Sequence, residues 1–270
     1  MKRVATAAVL LPLAWAVCEY ASTAVFAVVI GALAALACWE CYGILASRGA
    51  RPLRWLGVTA ALAACWSFAL VPPRVDPLTV VVATTLLATV GSMWRRGSAE
   101  AMLDSAVSTV FPVLLVGLGL GHLVALRSIP GEPGHDLLWF LILCVIGADT
   151  FAYYAGRAFG RHPMSPVISP KKTWEGFAGA VAGSVVAALI GHFGFYRSLP
   201  LRHALVLAVV LCAAAVLGDL AESMVKRAGG VKDSSRILPG HGGIFDRLDS
   251  LLLAAPVLYY YYRVFLQGSP

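Results

Sequence analysis

Long runs of apolar residues are the feature that most constrains how this chain folds. A helix of about 20 apolar residues crosses the hydrocarbon core of a bilayer. Nine runs approach that length, at roughly residues 4–18, 22–45, 54–71, 77–93, 103–126, 137–156, 174–194, 203–225 and 249–266. Hydrophobic residues make up 59% of the 270 residues and charged residues only 13%, a composition that excludes an ordinary soluble domain. The sequence therefore predicts an all-α, polytopic integral membrane protein with about nine transmembrane helices.

Lysine and arginine residues are distributed unevenly between the two sets of loops that these runs define. With the spans taken in order, 16 of the 21 basic residues lie on the side that holds the N-terminus. Because loops rich in basic residues stay in the cytoplasm, we expect a cytoplasmic N-terminus in an inner membrane protein. The first run also fits a cleaved signal peptide, but the charge pattern requires it as a span. The long polar loops 157–173 and 226–248 then face the cytoplasm, where nucleotides are found.

Polar chemistry is concentrated in the later part of the chain. Residues 1–96 are predicted to form transmembrane helices with almost no polar groups, apart from Glu40. We interpret Glu40 as a satisfied or interfacial carboxylate, and the alternative is a site residue. Residues 97–270 are predicted to form the transmembrane catalytic region. Gly179 and Gly183 have the small-xxx-small spacing that lets helices approach closely. The six cysteines lie in or beside apolar runs, a pattern that does not indicate a disulfide framework.

The densest polar stretch runs from Asp219 to Ser250. Four of its residues have the spacing i, i+3, i+4 and i+7, which places them on one helical face: Asp219, Glu222, Ser223 and Lys226. Asp246 and Asp249 begin a second face, and the loop between the two faces contains Gly242–Gly243, whose backbone N–H groups can approach phosphate oxygens. Carboxylates on both sides of such a loop suit a hard cation such as Mg²⁺. The alternative is that these acids only pair with neighbouring basic residues.

A second polar stretch runs from Asp149 to Gly176. Asp149 lies within a predicted span, where a carboxylate is costly and usually marks a function or a paired network. Lys171 and Lys172 follow Pro170 and supply compact positive charge suited to phosphate. For these two lysines the alternative is an ordinary positively charged cytoplasmic loop.

The order and spacing of residues in both stretches resemble the phosphatidate cytidylyltransferase, or CDP-diacylglycerol synthase, family. The first block consists of Ser223, Lys226–Arg227, Lys232–Asp233, Pro239, His241–Gly242–Gly243 and Asp246–Arg247–Leu248–Asp249. We find no departure from the family pattern in this block. The second block consists of Asp149, Ala152–Tyr153, Gly156–Arg157 and residues 169–176.

The resemblance implies an enzyme that transfers a cytidylyl group from CTP to phosphatidate, giving CDP-diacylglycerol and pyrophosphate in phospholipid biosynthesis. As a hypothesis, the catalytic residues are Asp219, Asp246, Lys226 and Arg247. The hypothetical metal ligands are Asp219 and Asp246, followed by Asp249 and Asp149. The residues assigned to substrate binding are Lys171, Lys172, Ser223, Arg227, Lys232, His241, Gly242 and Gly243. The expected cofactor is Mg²⁺, and a second, monovalent ion stays an open alternative.

Two other functions fit parts of the pattern. A CTP-dependent lipid kinase of the polyprenol type would use similar groups to transfer the γ-phosphate instead. A transporter of an anionic solute would also need intramembrane charges, but near the bilayer midplane, whereas these charges gather near one face. The expected partners are CTP, phosphatidate and membrane lipid, with no nucleic acid, and glycine-rich helix faces are compatible with a homodimer.

Overall fold

A computed structural model describes residues 2–69, 75–235, 237 and 242–267. The helices are α1 (Lys2–Tyr20), α2 (Thr23–Ser47), α3 (Arg54–Ser67), α4 (Pro77–Met93), α5 (Ala99–Pro112), α6 (Gly119–Arg127), α7 (Glu132–Phe159), α8 (Trp174–Gly194), α9 (Leu201–Ala228), α10 (Phe245–Leu248) and α11 (Leu251–Tyr261). A π-helical segment, Val113–Leu118, joins α5 to α6, and another, Tyr262–Leu266, follows α11. Strands β1 (Pro163–Ser165) and β2 (Ser169–Thr173) form an antiparallel hairpin.

The predicted membrane-protein architecture is supported by helix length and hydropathy. Among the described residues, five helical segments are long and apolar enough to cross a membrane: Thr23–Ser47, Ala99–Arg127, Pro133–Phe159, Trp174–Gly194 and Leu201–Ala228. The other predicted runs also fall on helices, but α3, α4 and α11 contain only 14, 17 and 11 residues. The chain is therefore predominantly helical and membrane-like, and nine crossings stay a prediction.

Polar side chains fix where several helices begin. Asp76 accepts hydrogen bonds from two backbone N–H groups in the first turn of α4, and Ser98 accepts one in the first turn of α5. Thr173 accepts a hydrogen bond from the N–H of Gly176 at the start of α8. These caps satisfy N–H groups that have no partner within the helix. Thr173 thus ends β2 and caps α8, which fixes Lys172 immediately before the N-cap.

The chain divides into two compact units. The first comprises residues 1–128 and 224–248, and the second comprises residues 129–223 and 249–270. In the first unit, α2 packs against α3 and α6, and Tyr42 on α2 is fully buried. Its hydroxyl donates to the carbonyl oxygen of Thr109 at 2.8 Å, so the burial of this polar group is compensated. No disulfide joins any of the six cysteines, all of which lie in the described ranges.

In the second unit, α7 and α8 pack closely against each other. A methyl group at Gly183 would lie 2.3 Å from the carbonyl oxygen of Gly147, and one at Gly179 would lie 2.3 Å from Cβ of Ala155. Only glycine allows this approach, so the structure confirms the predicted packing role of Gly179 and Gly183. The β1–β2 hairpin connects α7 to α8 and was not predicted within loop 157–173.

Candidate active site

A group of carboxylates comes together in the second unit. Asp219 and Glu222 lie on α9, and Asp249 lies two residues before α11. One oxygen atom from each of the three lies within 4.8 Å of the others. Glu222 is fully buried, and the other two are partly buried. Like charges this close repel one another strongly away from water, so the arrangement calls for compensating positive charge.

Part of that compensation comes from the hairpin. The ammonium nitrogen of Lys172 lies 2.6 Å from Oδ2 of Asp219, and both side chains are largely buried, at 23% and 31% exposed. The hydroxyl of Ser223, one helical turn further along α9, donates to Oδ1 of Asp219 at 3.4 Å. The sequence analysis assigned Lys172 to phosphate and did not predict its pairing with Asp219.

A cavity of about 370 Å³ opens beside the Lys172–Asp219 pair. Its polar lining includes Asp149, Tyr153 and Lys171 as well as that pair. The remaining lining is small or apolar: Ala152, Gly156, Met164, Thr173, Gly176, Phe177, Ala180 and Val216. The volume is within the range of small-molecule sites. The two polar stretches of the sequence, one beginning at Asp149 and the other at Asp219, therefore line one cavity.

Asp246 belongs to the first unit, where it lies in the short helix α10. Its Oδ1 accepts a hydrogen bond from the ammonium group of Lys226 at 2.8 Å. Its Oδ2 accepts hydrogen bonds from the backbone N–H groups of Ser234 (3.0 Å) and Gly243 (2.8 Å) and from the Ser234 hydroxyl (2.8 Å). The Lys226 and Asp246 side chains are only 12% and 8% exposed. Protein donors therefore fix the orientation of this carboxylate, and its role as a metal ligand stays a prediction.

Glu40 on α2 contacts the same loop. Only 4% of Glu40 is exposed, and its two oxygens accept hydrogen bonds from the hydroxyls of Ser234 and Ser235 and from the backbone N–H groups of Ile244 and Phe245. The interpretation of Glu40 as a satisfied carboxylate is confirmed. Its link to the polar loop was missed because the partners lie 194 to 205 positions along the chain, and the sequence gives no signal for such a contact.

A sequence model described as the cytidylyltransferase family matches residues 1–265, nearly the whole chain. The chain belongs to the cytidylyltransferase family. This match confirms the resemblance found in the sequence motifs.

Several curated relatives of this cytidylyltransferase-family chain are named phosphatidate cytidylyltransferase. The Haemophilus influenzae protein is 42% identical over 163 residues, covering 58% of this chain and 55% of the relative. The Staphylococcus saprophyticus protein is 42% identical over 153 residues, covering 57% of each chain. The Mycobacterium tuberculosis protein is 45% identical over 124 residues, covering 46% of this chain and 38% of the relative. The chain spans about half the length of the curated relatives it matches.

Three other predicted site residues of this cytidylyltransferase-family chain lie at the surface. Arg227, Lys232 and Arg247 are exposed, and Arg227 donates to the carbonyl oxygen of Val231 at 3.0 Å. Gly243 is buried, and its N–H group faces Asp246. His241 lies outside the described residues. The catalytic role assigned to Arg247 and the substrate contacts assigned to the other residues stay predictions.

Proposed function

We propose that this chain transfers the cytidylyl group of CTP to phosphatidate, forming CDP-diacylglycerol and releasing pyrophosphate. The observation that carries the proposal is the 42% identity, over 163 and 153 residues, to two curated phosphatidate cytidylyltransferases. The site supports it because a cavity lined by lysines and carboxylates suits a substrate rich in phosphate.

The proposed reaction depends mainly on charge and placement. A phosphate monoester has a second pKa of about 6, so phosphatidate is largely dianionic at neutral pH and needs no strong base. Its phosphate oxygen attacks the α-phosphorus of CTP in line, and the bond to the leaving pyrophosphate oxygen breaks. The main obstacle is repulsion between two polyanions. Lys171 and Lys172, at the cavity, supply positive charge for these phosphates.

We also propose Mg²⁺ as the cofactor. The donor set fits, because Asp219, Glu222 and Asp249 each offer an oxygen within 4.8 Å of the others, and Mg²⁺ prefers oxygen ligands. These residues would hold the ion, which would neutralise charge on the triphosphate. Asp219 and Asp249 were predicted as ligands from the sequence, whereas Glu222 was placed on the polar face without that role. Asp149 lines the neighbouring cavity, and a second, monovalent ion remains an alternative.

The proposed membrane arrangement has nine crossings, a cytoplasmic N-terminus and a site that faces the cytoplasm. It is supported by the 16 of 21 basic residues that this topology assigns to one side. Cysteines introduced at exposed Arg96 and Arg197 test it with an impermeant maleimide in intact cells, using the unsubstituted chain as background. We expect Arg197→Cys to react from outside and Arg96→Cys to react only after permeabilisation. The reverse pattern would contradict the proposed orientation.

A homodimer remains a proposal without support from the glycines that suggested it. Gly117 and Gly121 pack against Ala61 and Phe68 of the first unit, and Gly183 packs against Gly147 of the second. These faces are therefore occupied within the chain. Cross-linking in native membranes followed by mass measurement would test whether another face joins two copies.

The proposed activity is tested with purified protein, phosphatidate and CTP labelled at either the α- or the γ-phosphate. We expect label from α-labelled CTP, and none from γ-labelled CTP, to appear in lipid when Mg²⁺ is present. Label from γ-labelled CTP alone would identify a lipid kinase. Absence of labelled lipid with both substrates, in protein whose fold is verified by its unfolding transition, would contradict both enzymes and favour a transporter.

A further inference from the structure

Glu40 holds together two parts of the polar loop that follows α9. Its Oε2 lies 2.9 Å from the Ser234 hydroxyl and 2.9 Å from the N–H of Phe245. Its Oε1 lies 2.6 Å from the Ser235 hydroxyl and 3.1 Å from the N–H of Ile244. Ser234 and Ser235 precede the glycine-rich part of the loop, whereas Ile244 and Phe245 follow it. One buried carboxylate on α2 thus fixes both ends of this segment.

The Glu40 contacts continue directly to Asp246. The Ser234 hydroxyl oxygen lies 2.9 Å from Oε2 of Glu40 and 2.8 Å from Oδ2 of Asp246, so this serine lies between the two carboxylates. Its single hydroxyl hydrogen serves one carboxylate at a time, while its backbone N–H donates to Asp246 at 3.0 Å. Asp246 in turn contacts Lys226 at 2.8 Å. A displacement of Ser234 is therefore transmitted to the Lys226–Asp246 pair.

The Glu40 side chain is packed so closely against Gly243 that no side chain fits at that position. A methyl group at Gly243 would lie 2.1 Å from the Ser234 hydroxyl oxygen and 2.4 Å from Oε2 of Glu40, closer than any side chain tolerates. The glycine at this position is therefore explained by the Glu40 network itself. Its N–H donates to Asp246, so the same residue binds one carboxylate and lies against the other.

We propose that Glu40 is a positioning residue that anchors the loop at Ser234–Ser235 and at Ile244–Phe245 and thereby holds Asp246 against Lys226. Glu40 itself touches neither substrate nor metal in this assignment. Its consequence for catalysis rests on the proposed cytidylyl transfer, but its ordering of the loop can be measured without any reaction.

The test is Glu40→Gln, which keeps the shape of the side chain and removes one acceptor oxygen. Each Glu40 oxygen accepts from one serine hydroxyl and one backbone N–H. A hydroxyl can turn and accept from the new amide NH₂ group, but a backbone N–H cannot, so one donor at Ile244 or Phe245 loses its partner. The matched control is Glu100→Gln, because Glu100 is exposed in the first turn of α5.

Two readouts are needed on the full-length, detergent-purified protein. Hydrogen exchange measured by mass spectrometry on peptides covering residues 242–248 reports loop order, and steady-state kinetics with CTP and phosphatidate report transfer. In Glu40→Gln we expect at least tenfold faster exchange in these peptides and at least a tenfold lower kcat per folded molecule. The KM values for CTP and phosphatidate should each change less than threefold, because the variant disturbs the Lys226–Asp246 pair, which in this proposal acts on the charge that develops in the transition state. Glu100→Gln should match the unmodified protein in both readouts.

The outcomes separate this proposal from the proposed function. If the unmodified protein shows no transfer, the proposed function fails, and the exchange experiment alone still decides whether Glu40 orders the loop. Unchanged exchange in Glu40→Gln would overturn the positioning role. Faster exchange with an unchanged kcat in Glu40→Gln would also overturn the positioning role, because Glu40 would then stabilise the loop without serving catalysis.

Discussion

Replacing Lys226 by methionine tests how strongly the polar loop depends on its buried ion pair. Lys226 and Asp246 are joined at 2.8 Å, and their side chains are only 12% and 8% exposed. Methionine retains most of the length and volume of lysine but removes its charge. The variant therefore leaves the Asp246 carboxylate in its buried position without this cation.

The expected cost follows from the contacts that remain. Removal of one partner from a buried ion pair typically costs about 3–5 kcal/mol, because a charge is left buried and uncompensated. Asp246 still accepts hydrogen bonds from Ser234 and Gly243 in the variant, which offset part of that penalty. We therefore expect the free energy of unfolding to fall by about 3 kcal/mol, the lower end of that range. This change corresponds to a factor of about 100 in the unfolding equilibrium constant.

The measurement is reversible unfolding in mixed micelles with increasing denaturing detergent, followed by tryptophan fluorescence. Lys232→Met is the matched control, since Lys232 is exposed and its replacement should change the free energy of unfolding by less than about 0.5 kcal/mol. Lys226→Arg retains the positive charge and should recover part of the loss. A Lys226→Met protein as stable as the Lys232→Met control would refute the inference that this pair stabilises the loop.

Three further predictions concern the second unit. Asp249→Asn should raise the Mg²⁺ concentration for half-maximal transfer at least tenfold, whereas Asp104→Asn, at an exposed ion pair in the first unit, should not. Gly183→Leu should lower the free energy of unfolding by about 3 kcal/mol in the same micelle assay, because the side chain would overlap α7. Lys172→Met should lower kcat in the labelled-CTP assay. It should also lower the Mg²⁺ concentration for half-maximal transfer, because Lys172 and the ion would compete for Asp219. An increase in that Mg²⁺ concentration would contradict the competition between Lys172 and the ion.

The length of the apolar runs located the helices well where the runs are long. The run at 174–194 has the bounds of α8, and the run at 203–225 lies within α9. The hairpin before α8 was missed because its strands contain only three and five residues. The second strand reads Ser-Pro-Lys-Lys-Thr, which lacks the alternating apolar pattern of a strand and contains no aromatic residue and only one β-branched residue, Thr173.

The candidate site was partly predictable because helical spacing is a local property. The spacing of Asp219, Glu222, Ser223 and Lys226 predicted one polar face, and the structure places the first two in the carboxylate group. Contacts between distant segments gave no such signal. The pairing of Lys172 with Asp219 and of Glu40 with the loop depends on packing between helices, which a single sequence does not encode in its spacing.

The structure separates the roles of the two aspartates that the sequence placed first as metal ligands. A carboxylate has about four lone-pair directions, and Asp246 directs its own toward an ammonium group, a hydroxyl and two backbone N–H groups. A metal ion at Asp246 would displace donors whose hydrogen bonds to a charged group are worth about 1.5–3 kcal/mol each. Asp219 instead lies beside two further carboxylates, where added positive charge relieves repulsion. These surroundings favour Asp219 over Asp246 as a ligand of the proposed Mg²⁺ ion, and the contacts of Asp246 suit it to holding the loop in place.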